Sequence, residues 1–155
     1  MKKIQISIAQ LDNYGPWTVT PGNKPEAYLQ MLQTRLFADL EEKVSESGGL
    51  AFMTRFDNTI VVSNKVTKEK HAEIQKYIKE KYPVTLSFGI GTGETSYEAQ
   101  EKASLNLQET GSSQSPNRNE KIVGETISSS DESLVRIAHI DINQVVNFTD
   151  TDPIY

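Results

Sequence analysis

The sequence contains no cysteine and only two histidines among its 155 residues. Disulfides and thiolate metal sites are therefore excluded, and nothing in the composition points to an oxidising compartment. The sequence also lacks an apolar run near the ~20 residues that a membrane-spanning helix requires, and lacks a secretory-type segment near its start. We therefore expect a cytoplasmic protein with no membrane partner.

A strong positive charge is missing as well. Lysine and arginine number 16 against 21 acidic residues, so the formal net charge is −5. This balance argues against a nucleic-acid partner held by a generally positive surface. The length suits one domain with a sizeable core and is too short for two domains of typical size.

Apolar periodicity predicts strands and helices in the order β-α-β-β-α-β. Ile4, Ile6 and Ile8 alternate with polar residues, as in a strand with one buried face. A helix is predicted from Pro25 until just before Gly48. The later segments are predicted as strands 50–55 and 59–62, a helix over 67–81, a strand over 84–90, a helix over 95–110 and a strand over 121–128.

This order is the ferredoxin-like, split βαβ plan, which predicts an α+β fold with an antiparallel sheet and helices on one face. Right-handed crossovers make the first two strands parallel, with the third strand between them running the opposite way. Asp12 follows the first strand, and Asp57 lies in the turn between the second and third strands. The plan therefore brings both carboxylates to one edge of the sheet.

Asp12 and Asp57 are the predicted catalytic and metal-binding residues. Paired carboxylates at the rim of a sheet suit Mg²⁺, which keeps several waters and completes its shell with phosphate oxygens. Two such ions about 3.5–4 Å apart can activate a nucleophile and stabilise a leaving oxygen. The alternative is that both are ordinary turn residues, since Asp and Asn are common in turns.

The loop after Asp12 is a predicted substrate-binding segment. Its residues Tyr14, Gly15, Pro16 and Trp17 would pass over bound phosphates, because glycine permits close approach of the backbone.

Basic and glycine-rich segments give weaker signals. Arg55 and Arg118 could neutralise phosphate, although each could instead be a solvated surface charge. The run 89–93, Gly-Ile-Gly-Thr-Gly, resembles a phosphate loop in letters only, and its simpler role is to end a strand before a helix cap at Thr95. His71 lies on the apolar face of a helix and is predicted to be a core histidine.

Five segments form a specific combination. They read Leu11-Asp-Asn-Tyr-Gly-Pro-Trp-Thr-Val-Thr-Pro21, Leu29-Gln-Met-Leu-Gln-Thr-Arg-Leu36, Thr54-Arg-Phe-Asp-Asn58, Tyr97-Glu-Ala-Gln100 and Ile137-Ala-His-Ile-Asp-Ile-Asn143. Together they resemble archaeal GTP cyclohydrolase III, through essentially the whole chain. The fold of that family is related to polymerase palm domains, class III nucleotidyl cyclases and GGDEF domains.

The resemblance implies Mg²⁺-dependent hydrolysis of GTP, assisted by K⁺ or another monovalent cation. The imidazole ring opens with the formyl group retained and the triphosphate is cleaved. The product is 2-amino-5-formylamino-6-ribosylamino-4(3H)-pyrimidinone 5′-phosphate, an early intermediate for riboflavin and the deazaflavin F420. By the same resemblance, Asp12 and Asp57 match the metal-binding acids, with two Mg²⁺ ions expected, and Asn13 contributes its backbone carbonyl.

An internal repeat bears on the domain organisation. The segment 137–141, Ile-Ala-His-Ile-Asp, nearly repeats the segment 8–12, Ile-Ala-Gln-Leu-Asp. Members of the family carry two similar domains in tandem, at about twice this length. We interpret residues 1–130 as a palm-like domain that binds GTP and metal, and residues 131–155 as the first strand and linker of a truncated second repeat. Because an unpaired apolar strand favours association, we expect a homo-oligomer.

Two other functions remain open from the sequence. The chain could be a guanine-nucleotide-binding module without turnover, or a nucleotidyl cyclase with the same fold. The hairpin reads Thr54-Arg-Phe-Asp-Asn58 rather than Gly-Gly-Asp-Glu-Phe, which counts against the cyclase. The residues that read the guanine ring are also open, with Asn58, Gln30 and Gln33 as polar candidates.

Overall fold

The structure is a computed structural model, and it describes residues 2–12, 25–54, 58–112, 115, 118–127 and 132–133. The repeated segment 137–141 lies outside the described residues. The division into a domain over 1–130 and a second-repeat strand over 131–155 therefore stays a prediction.

The predicted order of strands and helices is confirmed. The strands are β1 (Lys2–Leu11), β2 (Leu50–Met53), β3 (Asn58–Val62), β4 (Leu86–Gly93), β5 (Ile122–Val123) and β6 (Glu132–Ser133), and the helices are α1 (Pro25–Glu46), α2 (Lys68–Lys81) and α3 (Ser96–Gln108).

The sheet has the predicted ferredoxin-like order. Its strands run β2-β3-β1-β4-β5, and β3 is antiparallel to both β1 and β2. β1 and β2 are therefore parallel, as right-handed crossovers require. Two short additions extend the plan, since β5 pairs in parallel with β4 and β6 pairs in parallel with the start of β1.

The two crossover helices, α1 and α2, share one face of the sheet. α1 turns a stripe of Leu36, Leu40 and Val44 onto the sheet, because these residues recur at helical spacing. Ile74 and Ile78 of α2 join the same core cluster. The prediction of helices on one face of the sheet holds for α1 and α2 but not for α3.

The ends of the helices follow from local sequence. Thr67 caps α2, since its side-chain oxygen accepts a hydrogen bond from the backbone N–H of Lys70. Thr95 caps α3 in the same way. The turn after α1 contains Gly48 at a φ of +85°, a left-handed conformation that glycine adopts without steric cost.

The third helix, α3, covers the opposite face of β1 and β4. Ile6 and Ile8 of β1 pack against its small residues Ala99 and Ala103. The sequence predicted that the glycine run 89–93 would end its strand. The run instead continues β4 as far as Gly93.

Close approach of α3 explains those glycines. A Cβ atom at Gly89 would lie 2.2 Å from the carbonyl oxygen of Ala103, and one at Gly91 would lie 2.1 Å from that of Ala99. Glycine is therefore the residue that lets the helix backbone rest directly on the strand. Both faces of β4 are buried.

His71 is the core histidine that the sequence predicts. Its side chain is buried, with Nδ1 donating to the carbonyl oxygen of Thr67 at 2.7 Å and Nε2 accepting from the hydroxyl of Ser7 at 2.7 Å. Burial lowers the pKa of this imidazole below its ordinary value of 6.5.

Helices long and apolar enough to cross a membrane are absent from the part of the chain that the structure describes.

Candidate functional site

The carboxyl end of β1 and the β2–β3 hairpin lie at one edge of the sheet, as predicted. Gln10 of β1 is paired with Asn58, the first residue of β3. Asp12 follows two residues after Gln10 and lies just beyond the strand. Asp57, the residue before Asn58, lies outside the described residues, so its distance from Asp12 stays a prediction.

Asp12 is buried at this edge, with 1% of its surface exposed. Its Oδ1 atom accepts hydrogen bonds from Ser87 Oγ at 2.7 Å and from Arg118 Nε at 2.8 Å. Its Oδ2 atom accepts from Thr85 Oγ1 at 2.7 Å and from the backbone N–H of Glu120 at 2.9 Å. Each carboxylate oxygen therefore accepts hydrogen bonds from two donors.

Arg118 is also buried, with 1% of its surface exposed, so the alternative that it is a solvated surface charge is wrong. Besides binding Asp12, its guanidinium donates to Gln10 Oε1, to the carbonyl oxygen of Leu11 at 2.9 Å and to that of Gly111 at 3.3 Å. A planar group with donors on all sides can join several acceptors at once. In this arrangement Arg118 ties the end of β1 to the chain after α3.

Residues 118–121, which we call the strap, close over the ends of β1 and β4. Glu120 adopts a φ of +51°, a left-handed conformation that is unfavourable for a residue with a Cβ. This conformation directs its N–H to Asp12. The N–H of Lys121 binds Ser87 Oγ at 3.0 Å, and Gln75 donates to the carbonyl oxygen of Lys121 at 3.0 Å. The strap is thus held by a buried polar contact at Arg118 and by partly buried ones at Lys121.

The Asp12 site does not fit direct coordination of a divalent cation. All four of its described hydrogen-bond donors would compete with the metal, and the Arg118 cation lies 2.8 Å from Oδ1. Mg²⁺ needs free oxygen lone pairs in a near-octahedral arrangement. Among the described residues there is also no group of three or more acidic, histidine or cysteine side chains that could hold a metal.

A groove lies beside the Asp12 site, on the face of the sheet that carries α3. It encloses about 740 Å³ between α3 and strands β1 and β3. Gln10 and Asn58 lie at its polar end, while Ile8 and Ile60 form an apolar floor. Asn58 Oδ1 is buried and has no hydrogen-bond partner among the described residues. A buried acceptor without a partner is costly to the stability of the fold.

The predicted site residues are therefore divided among different places. Asn58 lines the groove, whereas Arg118 lies behind Gln10 in the strap. Gln33 is buried on α1 and Gln30 is exposed on the same helix. The others lie outside the described residues, and their roles stay predictions: Asn13, Tyr14, Gly15, Pro16, Trp17, Arg55 and Asp57.

Sequence reasoning missed Gln10, Thr85 and Ser87. Gln10 continues the side of β1 that carries Ile4, Ile6 and Ile8, and Thr85 and Ser87 alternate with apolar residues around the start of β4. A weak signal existed in the glycines at 89 and 91, which share the side of β4 with Ser87 and indicate that this side is covered rather than solvated.

Comparisons with known proteins identify the family to which the chain belongs. The family model described as GTP cyclohydrolase III matches residues 6–155. The chain belongs to this family. It is 48% identical to GTP cyclohydrolase III of Methanosphaera stadtmanae over 144 residues, and 47% identical to that of Methanothermobacter thermautotrophicus over 153 residues.

The match covers most of this chain but only part of those relatives. It spans 93% of this chain and 56% of the Methanosphaera protein, and 98% of this chain and 61% of the Methanothermobacter protein. The chain thus spans a little over half the length of these GTP cyclohydrolase III relatives.

Solved structures confirm the fold. The GGDEF domain of DgcB from Caulobacter crescentus in complex with c-di-GMP superposes with a TM-score of 0.60 at 12% identity, covering 78% of this chain and 77% of that one. The active GGEEF domain of a diguanylate cyclase from Vibrio cholerae gives 0.55 at 11% identity, covering 81% and 85%. At these identities the likeness supports the palm-type architecture and carries no activity with it.

Proposed function

We propose that this chain binds GTP and takes part in its hydrolysis as a GTP cyclohydrolase of the third type. The reaction opens the imidazole ring with the formyl group retained and cleaves the triphosphate. The product is 2-amino-5-formylamino-6-ribosylamino-4(3H)-pyrimidinone 5′-phosphate. The observation that carries the proposal is the family match through residues 6–155. The relatives of that name are 47–48% identical over more than nine-tenths of this chain.

The chemistry sets what the site must do. Water adds to C8 of the guanine ring, the C8–N9 bond breaks, and the formyl carbon remains on N7. Such a reaction needs the purine held in one orientation, because an attack geometry that is wrong by about 1 Å can cost 10²-fold in rate. The groove beside Gln10 and Asn58 lies at the predicted edge of the sheet and has room for a purine.

Mg²⁺ and K⁺ belong to this proposal as predicted cofactors. Asp57 and the carbonyl of Asn13 remain the predicted ligands for Mg²⁺. The saturated carboxylate of Asp12 does not fit the same role. We therefore assign no step of the reaction to a metal bound at Asp12.

The test is incubation of the chain with GTP, Mg²⁺ and K⁺, followed by mass spectrometry of the products. The expected product has gained water at the base and lost the β- and γ-phosphoryl groups, and ATP in a parallel incubation is unchanged. Substitution of Asp12 is not a decisive control, since the structure predicts that it weakens the fold.

Other products distinguish the rival functions. A cyclic nucleotide would support the nucleotidyl cyclase and contradict ring opening. Unchanged GTP together with saturable GTP binding would support a binding module without turnover. If the chain neither binds nor changes GTP, the proposed function is wrong for this chain.

A further inference from the structure

A continuous chain of buried hydrogen bonds runs from α2 across β1 to the segment that follows β5. It begins at the imidazole of His71, whose Nε2 lies 2.7 Å from the hydroxyl of Ser7. Ser7 Oγ lies 2.7 Å from Ser63 Oγ, which in turn lies 3.0 Å from Gln5 Nε2. The chain ends at Ile127, whose backbone N–H donates to Gln5 Oε1 at 2.7 Å. Each of its four side chains has at most 1% of its surface exposed.

The protons of this chain have one matched arrangement while His71 is neutral. The carbonyl oxygen of Thr67 can only accept, so the ring proton is on Nδ1 and Nε2 is an acceptor. Ser7 must therefore donate its single hydroxyl proton to His71, and Ser63 must donate its own to Ser7. The oxygen of Ser63 then accepts from the amino group of Gln5.

The far end of the chain has the same direction. Gln5 Nε2 also lies 2.6 Å from the carbonyl oxygen of Ser63 and 3.1 Å from that of Val66, and both oxygens can only accept. The amino group therefore faces them, and Oε1 faces the N–H of Ile127. Every contact from Ile127 to His71 thus pairs a donor with an acceptor.

A second proton on the imidazole does not fit this arrangement. Nε2 becomes a donor, so Ser7 must accept from it and turn its own proton towards Ser63. The hydroxyl proton of Ser63 then has no acceptor among its described partners, because Gln5 Nε2 is also a donor. A buried donor without an acceptor is costly, so protonation places the conflict at Gln5.

We propose that this chain of hydrogen bonds is a pH-sensitive switch, in which protonation of His71 displaces the Gln5 amide and releases Ile127 from β1. Gln5 is the link that moves, since its Oε1 is the next acceptor along the chain. Using that oxygen for the proton of Ser63 takes it away from the N–H of Ile127. The switch therefore loosens residues 124–127 under acidic conditions, and it is independent of the proposed function.

The imidazole receives no charge through its described contacts. These contacts are with Ser7 of β1, with the carbonyl of Thr67 and with the ring of Phe88 of β4, whose centroid lies 4.8 Å away in an edge-on arrangement. None of the three is a titratable group. Burial lowers the pKa of His71 below 6.5, so the matched chain is the state at neutral pH.

The test is a pH titration of the full chain, labelled with ¹⁵N and ¹³C, by NMR between pH 7.5 and 5. In the neutral form, the ring nitrogen shifts should place the proton of His71 on Nδ1. The Ile127 amide signal should move with the same midpoint as the His71 ring, below pH 6.5. Hydrogen-exchange protection of the Ile127 amide should fall by about tenfold through that midpoint, as expected for one lost hydrogen bond.

Two variants locate the coupling. His71→Gln keeps an uncharged acceptor for Ser7, so the Ile127 amide should no longer respond to pH in this range. Ser63→Ala cuts the chain between Ser7 and Gln5 and leaves the backbone carbonyl contacts of Gln5 in place. In that variant His71 should titrate without moving the Ile127 amide.

Two further variants are controls for other titratable groups. His139→Gln removes the second of the two histidines in the sequence and should leave the Ile127 response unchanged. Glu125→Gln removes an exposed acid of the released segment, whose ion pair with Lys68 at 3.6 Å contributes little. This variant should also keep the response.

The outcomes decide the proposal in the wild type as well as in the variants. An Ile127 amide that does not follow the midpoint of His71 would overturn it, and so would a response that persists in Ser63→Ala or disappears in His139→Gln. Acid unfolding before His71 titrates would overturn it too, because the folded protein would then have no protonated state. The wild-type titration is sufficient where a variant does not fold.

Discussion

Two polar regions adjoin each other at the carboxyl end of β1 and differ in how their polar atoms are satisfied. Each oxygen of the buried Asp12 carboxylate accepts two hydrogen bonds, and the buried Arg118 neutralises its negative charge. In the adjoining groove, Asn58 keeps a buried oxygen with no partner among the described residues, beside about 740 Å³ of space. Both regions share Arg118, which binds Asp12 on one side and Gln10 on the other.

The difference separates a buried carboxylate whose hydrogen bonds are all made from a buried amide oxygen that has no partner among the described residues. A buried ion pair whose hydrogen bonds are all made matters to stability mainly because removing one partner leaves the other as an uncompensated buried charge. A buried acceptor without a partner destabilises the protein, because no hydrogen bond repays the loss of its contacts with water. The described hydrogen bonds of Asp12 therefore hold the end of β1 in place.

The largest expected effect is a loss of stability when the Asp12–Arg118 ion pair is broken. Asp12→Ala leaves Arg118 buried without its partner carboxylate, and we expect the free energy of unfolding to fall by about 3–5 kcal/mol. Urea denaturation followed by circular dichroism measures the change. The control is Glu98→Ala, which removes an exposed ion pair with Lys102 and should cost no more than about 1 kcal/mol.

A double variant at positions 12 and 118 tests whether the unpaired arginine causes that loss of stability. If the cost of Asp12→Ala comes from the stranded guanidinium, then Asp12→Leu combined with Arg118→Met should be more stable than Asp12→Ala alone. Unfolding of Asp12→Ala at the urea concentration of the wild type would show that the Asp12–Arg118 pair does not hold this edge.

The next effect comes from the contact between α3 and β4, because the helix backbone rests directly on the strand. Gly91→Ala places a Cβ 2.1 Å from the carbonyl oxygen of Ala99, so the helix must move away from the strand. We expect a loss of about 1–3 kcal/mol in unfolding free energy, measured in the same urea assay. Thr92→Ala, one residue along the strand, is the matched control. Equal stability of Gly91→Ala and the wild type would contradict the close helix–strand contact.

A smaller effect of opposite sign is expected in the groove. Asn58→Leu replaces a buried oxygen without a partner by an apolar group of similar size, so the free energy of unfolding should stay the same or rise by up to about 1 kcal/mol. Thermal unfolding without nucleotide measures it. A clear loss of stability would show that the Asn58 amide supports the fold and would remove the contrast between the two regions.

The last prediction concerns how the free energy of unfolding depends on acidic pH through His71 of α2, and it gives only the direction of the change. Burial lowers the pKa of His71 below 6.5, so at acidic pH the unfolded chain binds more protons than the folded protein. Stability should therefore fall as the pH drops from about 6.5 towards the folded pKa. Urea midpoints between pH 7.5 and 5 test this. His71→Gln should flatten the slope, and an unchanged slope would mean that other groups cause it.

Much of the fold could be predicted from sequence because its signals are local. The alternation of Ile4, Ile6 and Ile8 identifies β1, and the position of the hairpin at the end of β1 follows from crossover handedness. The placement of the third helix could not be predicted in the same way. It depends on glycines whose purpose is visible only when Ala99 and Ala103 are seen against the strand.

The sequence by itself determined the order of strands and helices, the edge at which Asp12 lies, and membership in the GTP cyclohydrolase III family through its quoted motifs. Only the folded structure shows which groups Asp12 contacts at that edge. Arg118 lies 106 positions further along the chain, and no periodicity or spacing links the two residues. Their pairing arises because the strap closes over β1 and β4, where a buried carboxylate is stable only beside a cation and donors that the folded chain brings to it.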